Sequence, residues 1–187
     1  MEDDVAFILE EAKDGMKKGI SHFESELTKI RAGKASPDML NGIMVDYYGS
    51  PTPIQQVANI NVVDVRTLSL QPWEKSTLQA VEKAIMAANI GVTPQNDGQL
   101  IRLFMPPLTE ERRRDLVKRV SAEGEQAKIV IRNVRREAIE QVKKLQKDGL
   151  SKDAAKEAED QVQSITDAHI ALIERHCATK EKEIMVV

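Results

Sequence analysis

The residues with the clearest chemical potential in this chain are cations spaced along one helical segment. On an ideal wheel at about 100° per residue, Arg114, Lys118, Lys128, Arg132, Arg135, Arg136 and Lys143 fall within an arc of roughly 100° beside an apolar stripe. Between 112 and 147 the only anion in that arc is Glu125. A solvated helix laced with i,i+4 ion pairs mixes signs on every face, so one-sided clustering favours contact with phosphates over an ordinary surface. The net charge of −3 conceals this: segments 1–29, 30–109, 110–147 and 148–187 balance at −4, 0, +5 and −4. A localised basic surface on an otherwise acidic molecule suits a protein that binds one polyanion and avoids the rest.

Other chemistry finds less support. His169, His176 and Cys177 stand at i, i+7 and i+8, without the His pair at i,i+4 that a helical zinc site uses, and read as partly buried helix residues. Cys177 is the sole cysteine, which excludes an internal disulfide or a thiolate cluster. Gly33 and Lys34 suggest a nucleotide-binding loop, but Thr28 stands where its first glycine belongs and Ala35 follows the lysine. The carboxylates form no acid/base constellation. No cofactor and no enzymatic activity are expected. Aromatics make up 3% of the residues, too few for a base-stacking platform, and neither zinc spacing nor a helix-turn-helix signal is present. A rigid basic rod reading the shape of folded RNA fits better.

Such a rod needs elements to build it. All seven prolines, Pro37, Pro51, Pro53, Pro72, Pro94, Pro106 and Pro107, lie in the central stretch, and proline breaks helix interiors, so long helices are expected only in the flanks. In the first flank Val5, Leu9, Ala12, Met16, Gly19, Phe23, Leu27 and Ile30 form a helical stripe ending near Gly33, with Gly19 allowing close approach of a neighbour. After Thr109, an N-cap, a helix over 112–147 carries Val117, Val120, Gly124, Ala127, Ile131, Val134, Ala138, Val142 and Leu145. Gly149 stops it and Ser151 caps a third helix with Ala158, Val162, Ile165, Leu172 and Ile173 inside. Between the flanks the residues predict strands at Ile43–Tyr48, Val57–Val63, Thr67–Leu70 and Leu100–Phe104, a helix over Ser76–Ala88, and turns at Gly49–Thr52 and Gly91–Gly98. The fold class is α+β: a three-helix bundle (1–30 and 106–187) with an inserted small β/α/β domain (31–105).

With 41% hydrophobic and 30% charged residues the chain has material for one or two small cores. It lacks an apolar run near the roughly 18 residues of a bilayer span. Its acidic start is unlike a signal peptide, so a cytoplasmic location or the mature form of an organelle protein is expected.

The stretches Ile30–Pro37 (IRAGKASP), Tyr47–Pro53 (YYGSPTP), Arg66–Ile85 (RTLSLQPWEKSTLQAVEKAI), Pro106–Arg113 (PPLTEERR) and Ile131–Arg136 (IRNVRR) resemble the ribosome recycling factor family, colinearly over essentially the whole chain. The resemblance implies an L-shaped molecule similar in outline to transfer RNA. It also implies action after termination: binding between the ribosomal subunits and, with elongation factor G and GTP hydrolysis by that factor, splitting the ribosome from messenger and deacylated transfer RNA. Expected partners are the large ribosomal subunit with its ribosomal RNA and elongation factor G, with no membrane and a monomeric chain.

By the same resemblance, Arg132 and Arg135 match the arginines that touch large-subunit ribosomal RNA, with Arg31 and Arg113 further candidates near the domain junction. Arg136 and Lys128 lie on the basic face beside them. Arg31 is read equally well as a helix C-terminal charge favourable to the dipole, and Lys34 stands where the family commonly has arginine. Gly33, Pro106 and Pro107 delimit an expected hinge, glycine giving freedom and the prolines restricting it. The competing reading from charge is a helical adaptor whose basic face binds an acidic protein.

Overall fold

The computed structural model describes residues 2–30 and 32–186. Along the chain come helix α1 (Glu2–Lys29), strands β1 (Met44–Tyr47), β2 (Ser50–Pro53), β3 (Ala58–Asp64) and β4 (Thr67–Pro72), helix α2 (Leu78–Ala88), strands β5 (Pro94–Asn96) and β6 (Ile101–Phe104), and helices α3 (Glu110–Lys147) and α4 (Lys152–Val186). By contacts the chain divides into two compact units, Met1–Ala32 with Glu110–Val186, and Gly33–Thr109.

The first unit is the bundle of α1, α3 and α4. The expected stripes are buried but wider: Ile8 and Ile20 join Ala12, Met16, Phe23 and Leu27 on α1, and Leu116 joins Val120, Gly124, Ala127, Ile131, Ala138 and Val142 on α3. Val5, Leu9, Val117, Val134, Leu145, Ile165 and Leu172, read as core, are only half-buried. A helix facing two neighbours buries an arc rather than a line, which a single stripe underestimates. Fully burying a side chain such as Phe23, 2% exposed, contributes about 1.5–3 kcal/mol. Gly15, Gly19 and Gly124 lie where the helices approach closely. A Cβ on Gly19 would lie 3.2 Å from Val130 Cγ1 on α3, and one on Gly124 would lie 2.5 Å from Cys177 Sγ on α4. The close approach expected at Gly19 is therefore to α3.

The bend between α3 and α4 follows local chemistry. Gly149, at φ +118°, donates to Gln146 O (3.3 Å) and Leu150 N donates to Leu145 O (2.9 Å), the paired closing bonds of a Schellman end. Ser151 Oγ then accepts from Ala154 N (3.2 Å), capping α4.

The second unit packs α2 on a four-stranded antiparallel sheet of order β3-β4-β6-β5, with β1 and β2 paired as a separate hairpin. Its core includes Leu40, Val45, Ile54, Leu68, Leu70, Val81, Ile85, Ile101 and Leu103. Three local readings need correction. Ser50–Thr52 is strand rather than turn, and β5 occupies part of the expected 91–98 turn. Tyr48 is not strand: with Gly49 it makes a two-residue hairpin loop, both at positive φ (50° and 81°), as a type I′ turn demands. Prolines 51, 53 and 94 argued against strands, but a two-stranded hairpin and the outer strand β5 tolerate a missing N–H on their free side.

Candidate nucleic-acid interface

Helix α3 is 38 residues long, about 57 Å at 1.5 Å per residue, and holds the basic arc on one continuous backbone. Its cations differ in what each already binds. Arg132 and Arg136 are exposed, as are Lys118 and Lys143, and among the described residues none of the four forms an ion pair. Arg114 is exposed but engaged by Glu110 at 2.6 Å. Lys128 is 18% exposed, with Nζ 3.3 Å from Glu174 on α4 and 3.4 Å from Glu125. Burial alone would lower its pKa, but the hydrogen bonds to Glu174 and Glu125 outweigh that and hold it above the ordinary lysine value. An ammonium so paired offers less to an incoming phosphate than a free one.

Arg135 sits at the edge where the arc meets the core. It is half-buried and donates from Nη1 to Gln163 Oε1 on α4 at 3.0 Å, while its Nε is sealed from solvent without a hydrogen-bond partner. Arg132 and Arg135, three residues apart, share one side of the helix. Arg113 is turned toward α4, donating from Nη1 to Met185 O at 2.9 Å. It thereby answers a carbonyl in the last turn of α4. Arg31 lies outside the described residues. Sequence reasoning missed Gln163 and Glu174: both belong to a different helix, and only the bundle's packing brings them to the arc.

The expected hinge residues fall in the second unit's two ends. Gly33 has φ +74°, and a Cβ there would lie 2.9 Å from Leu108 Cγ, so the two connecting strands of chain pack on each other. Pro106 and Pro107 lie in the irregular stretch 105–109. Both ends are tied to one turn: Ala35 N donates to Val65 O and Met105 N to Arg66 O, each at 2.7 Å. Asp64 Oδ1 accepts from Arg66 N at 2.8 Å and stiffens that turn, and its pKa is lowered chiefly by this backbone bond.

His169, His176 and Cys177 are packed within the bundle. The His169 ring Nδ1 lies 2.7 Å from Ile165 O, His176 packs edge-on to Phe23 with its buried Nε2 near Glu24 (3.1 Å) but making no hydrogen bond, and Cys177 fills the space left by Gly124. Among the described residues no group of three or more His, Cys, Asp or Glu side chains is arranged to hold a metal ion. No described helix is long and apolar enough to cross a membrane.

A bundle of three long helices, interrupted after the first by a small antiparallel α+β unit and bearing a cation-rich face on its middle helix, defines the structural class. The family model described as ribosome recycling factor matches residues 23–185. The ribosome-recycling factor of Flavobacterium johnsoniae is 54% identical over 187 residues, the whole of both chains, and that of Cytophaga hutchinsonii is 54% identical over 185, covering 99% of this chain and 100% of its own. A solution structure of the ribosome recycling factor superposes with a TM-score of 0.78 at 38% identity, covering 98% of each chain. A second structure comes from models of the T. thermophilus ribosome recycling factor and the E. coli elongation factor G bound to the E. coli post-termination complex. It reaches a TM-score of 0.64 at 40% identity, covering 96% of this chain and 98% of its own. The chain belongs to the ribosome recycling factor family, as its motifs indicated. That membership disfavours the adaptor reading.

Proposed function

We propose that the chain acts after translation termination, binding the large ribosomal subunit through ribosomal RNA and, with elongation factor G and GTP, separating the subunits and releasing messenger and deacylated transfer RNA. The observation that carries the RNA contact is the exposed, unpaired state of Arg132 and Arg136 beside the half-free Arg135 on one side of α3. Guanidinium groups at i, i+3 and i+4 on a rigid helix place planar, always-charged forks along a phosphate backbone. Arg113, Lys128 and Arg31 act at the margins of that contact.

In this reading the protein is not an enzyme: GTP hydrolysis belongs to elongation factor G, and the chain supplies a grip and a lever. It works as a monomer in the cytoplasm, where its ribosomes are. The bundle (1–30 and 106–187) holds RNA while the inserted domain (31–105) swings about Gly33, Pro106 and Pro107 when the elongation factor pushes it. The tie of Ala35 and Met105 to a single turn supports this, because force on the second unit then reaches both connectors together.

A polysome breakdown assay tests the reading. Subunits and free messenger are expected only when the chain, elongation factor G and GTP are all present. Breakdown without the elongation factor, or none with all three, overturns it.

A further inference from the structure

Gln163 lies between two charges of opposite sign. Its Oε1 accepts from Arg135 Nη1 at 3.0 Å and its Nε2 donates to Asp167 Oδ1 at 2.8 Å. Arginine can only donate and an ionised carboxylate can only accept, so the two neighbours fix which way the amide points. The other half-buried cation of the arc, Lys128, is met directly by the carboxylates of Glu125 and Glu174. Arg135 is met by a neutral amide, with the nearest acid of that network one hydrogen bond further away.

The difference matters for binding. A carboxylate at 163 would form a charge-assisted, often bidentate pair and use up the fork that a phosphate needs. An apolar residue there would leave the guanidinium free to rotate, to be ordered anew at each encounter. With its Nε buried and unpartnered, the half-buried Arg135 has one edge of its guanidinium withdrawn from water and a single hydrogen bond, from Nη1 to an uncharged acceptor, to compensate. Such a group gains more from an arriving anion than a fully solvated arginine does.

Resting on the reading above that the α3 arc binds ribosomal RNA, we propose that Gln163 of α4 is a positioning residue, orienting Arg135 toward phosphate without neutralising it. Helix α4 thereby takes part in RNA binding through α3.

The test measures affinity for purified large ribosomal subunits, over a range of salt, for Arg132→Ala, Arg135→Ala, Gln163→Ala, Gln163→Met, Gln163→Glu and the double variant Arg135→Ala/Gln163→Ala. Helical circular dichroism monitors folding, and the methionine variant keeps the side-chain bulk if alanine loosens the bundle. Losing the orientation that this hydrogen bond gives Arg135 should weaken binding about two- to tenfold in both Gln163→Ala and Gln163→Met. Gln163→Glu should weaken it further and flatten the salt dependence. In the Arg135→Ala background, Gln163→Ala should cost nothing more. Equal losses from Gln163→Ala in both backgrounds, or wild-type affinity for Gln163→Glu, would overturn the proposal while an effect of Arg135→Ala left the RNA reading standing. If Arg135→Ala and Arg132→Ala both bind as wild type, the reading itself fails.

Discussion

Gly33 and Leu108 occupy each other's space: a Cβ on Gly33 would sit 2.9 Å from Leu108 Cγ, on a backbone already at φ +74°. Gly33→Ala should therefore destabilise the protein by about 1–2 kcal/mol through the left-handed backbone alone, plus a steric cost from the clash. Adding Leu108→Ala should recover only the steric part. Urea unfolding of the two variants checks this, and wild-type stability for Gly33→Ala would contradict it. If the connectors act as a hinge, Gly33→Ala should also bind large subunits normally while splitting them more slowly.

Gly124 against Cys177 makes the same kind of prediction inside the bundle. A Cβ on Gly124 would lie 2.5 Å from Cys177 Sγ, far below a normal contact. In the wild-type background Gly124→Ala should show an overpacking cost of about 1–3 kcal/mol, offset by the roughly 1 kcal/mol helix advantage of alanine. In a Cys177→Ala background the same change should be neutral or stabilising. Additive effects in the double-mutant cycle would show that the contact is not what selects glycine there.

Much of this arrangement was legible beforehand. Proline-free flanks with stripes such as Met16, Phe23 and Leu27 mark the helices, and Gly149 with Ser151 marks the bend, because those signals act within a few residues of chain. Strands β2 and β5 were hidden because Pro51, Pro53 and Pro94 read as breakers unless one knows that a free edge faces each of them. Within the site, the cationic arc of α3 follows from spacing alone. The quenching of Lys128 by Glu174 and the holding of Arg135 by Gln163 do not, since both partners come from α4 and depend on how two helices are phased in the bundle.

A third prediction concerns pH. Glu74 accepts hydrogen bonds from the hydroxyls of Tyr48 and Tyr47, the latter at 2.7 Å, which lowers its pKa. The bond to Glu74, then burial, raises that of Tyr47. A lowered carboxylate pKa adds stability that is present above its unfolded value of 4.5 and lost as pH falls through the folded one. A raised phenol pKa adds stability that is present below the unfolded value of 10.0 and lost as pH rises through the folded one. Stability measured against pH should thus lose part of both its acid and alkaline slopes in Glu74→Gln, and Tyr47 should ionise at lower pH in that variant. Unchanged slopes would remove the cluster from the pH response.

The central claim is that exposed arginines on one side of α3 bind ribosomal RNA by neutralising phosphates. Its most direct test is the salt dependence of binding to purified large ribosomal subunits. If about five phosphates are neutralised, the logarithm of affinity should fall against the logarithm of salt with a slope of about −4. Arg132→Ala and Arg136→Ala should each make that slope shallower by about 1. A wild-type slope near zero, or one that neither substitution changes, would contradict the account.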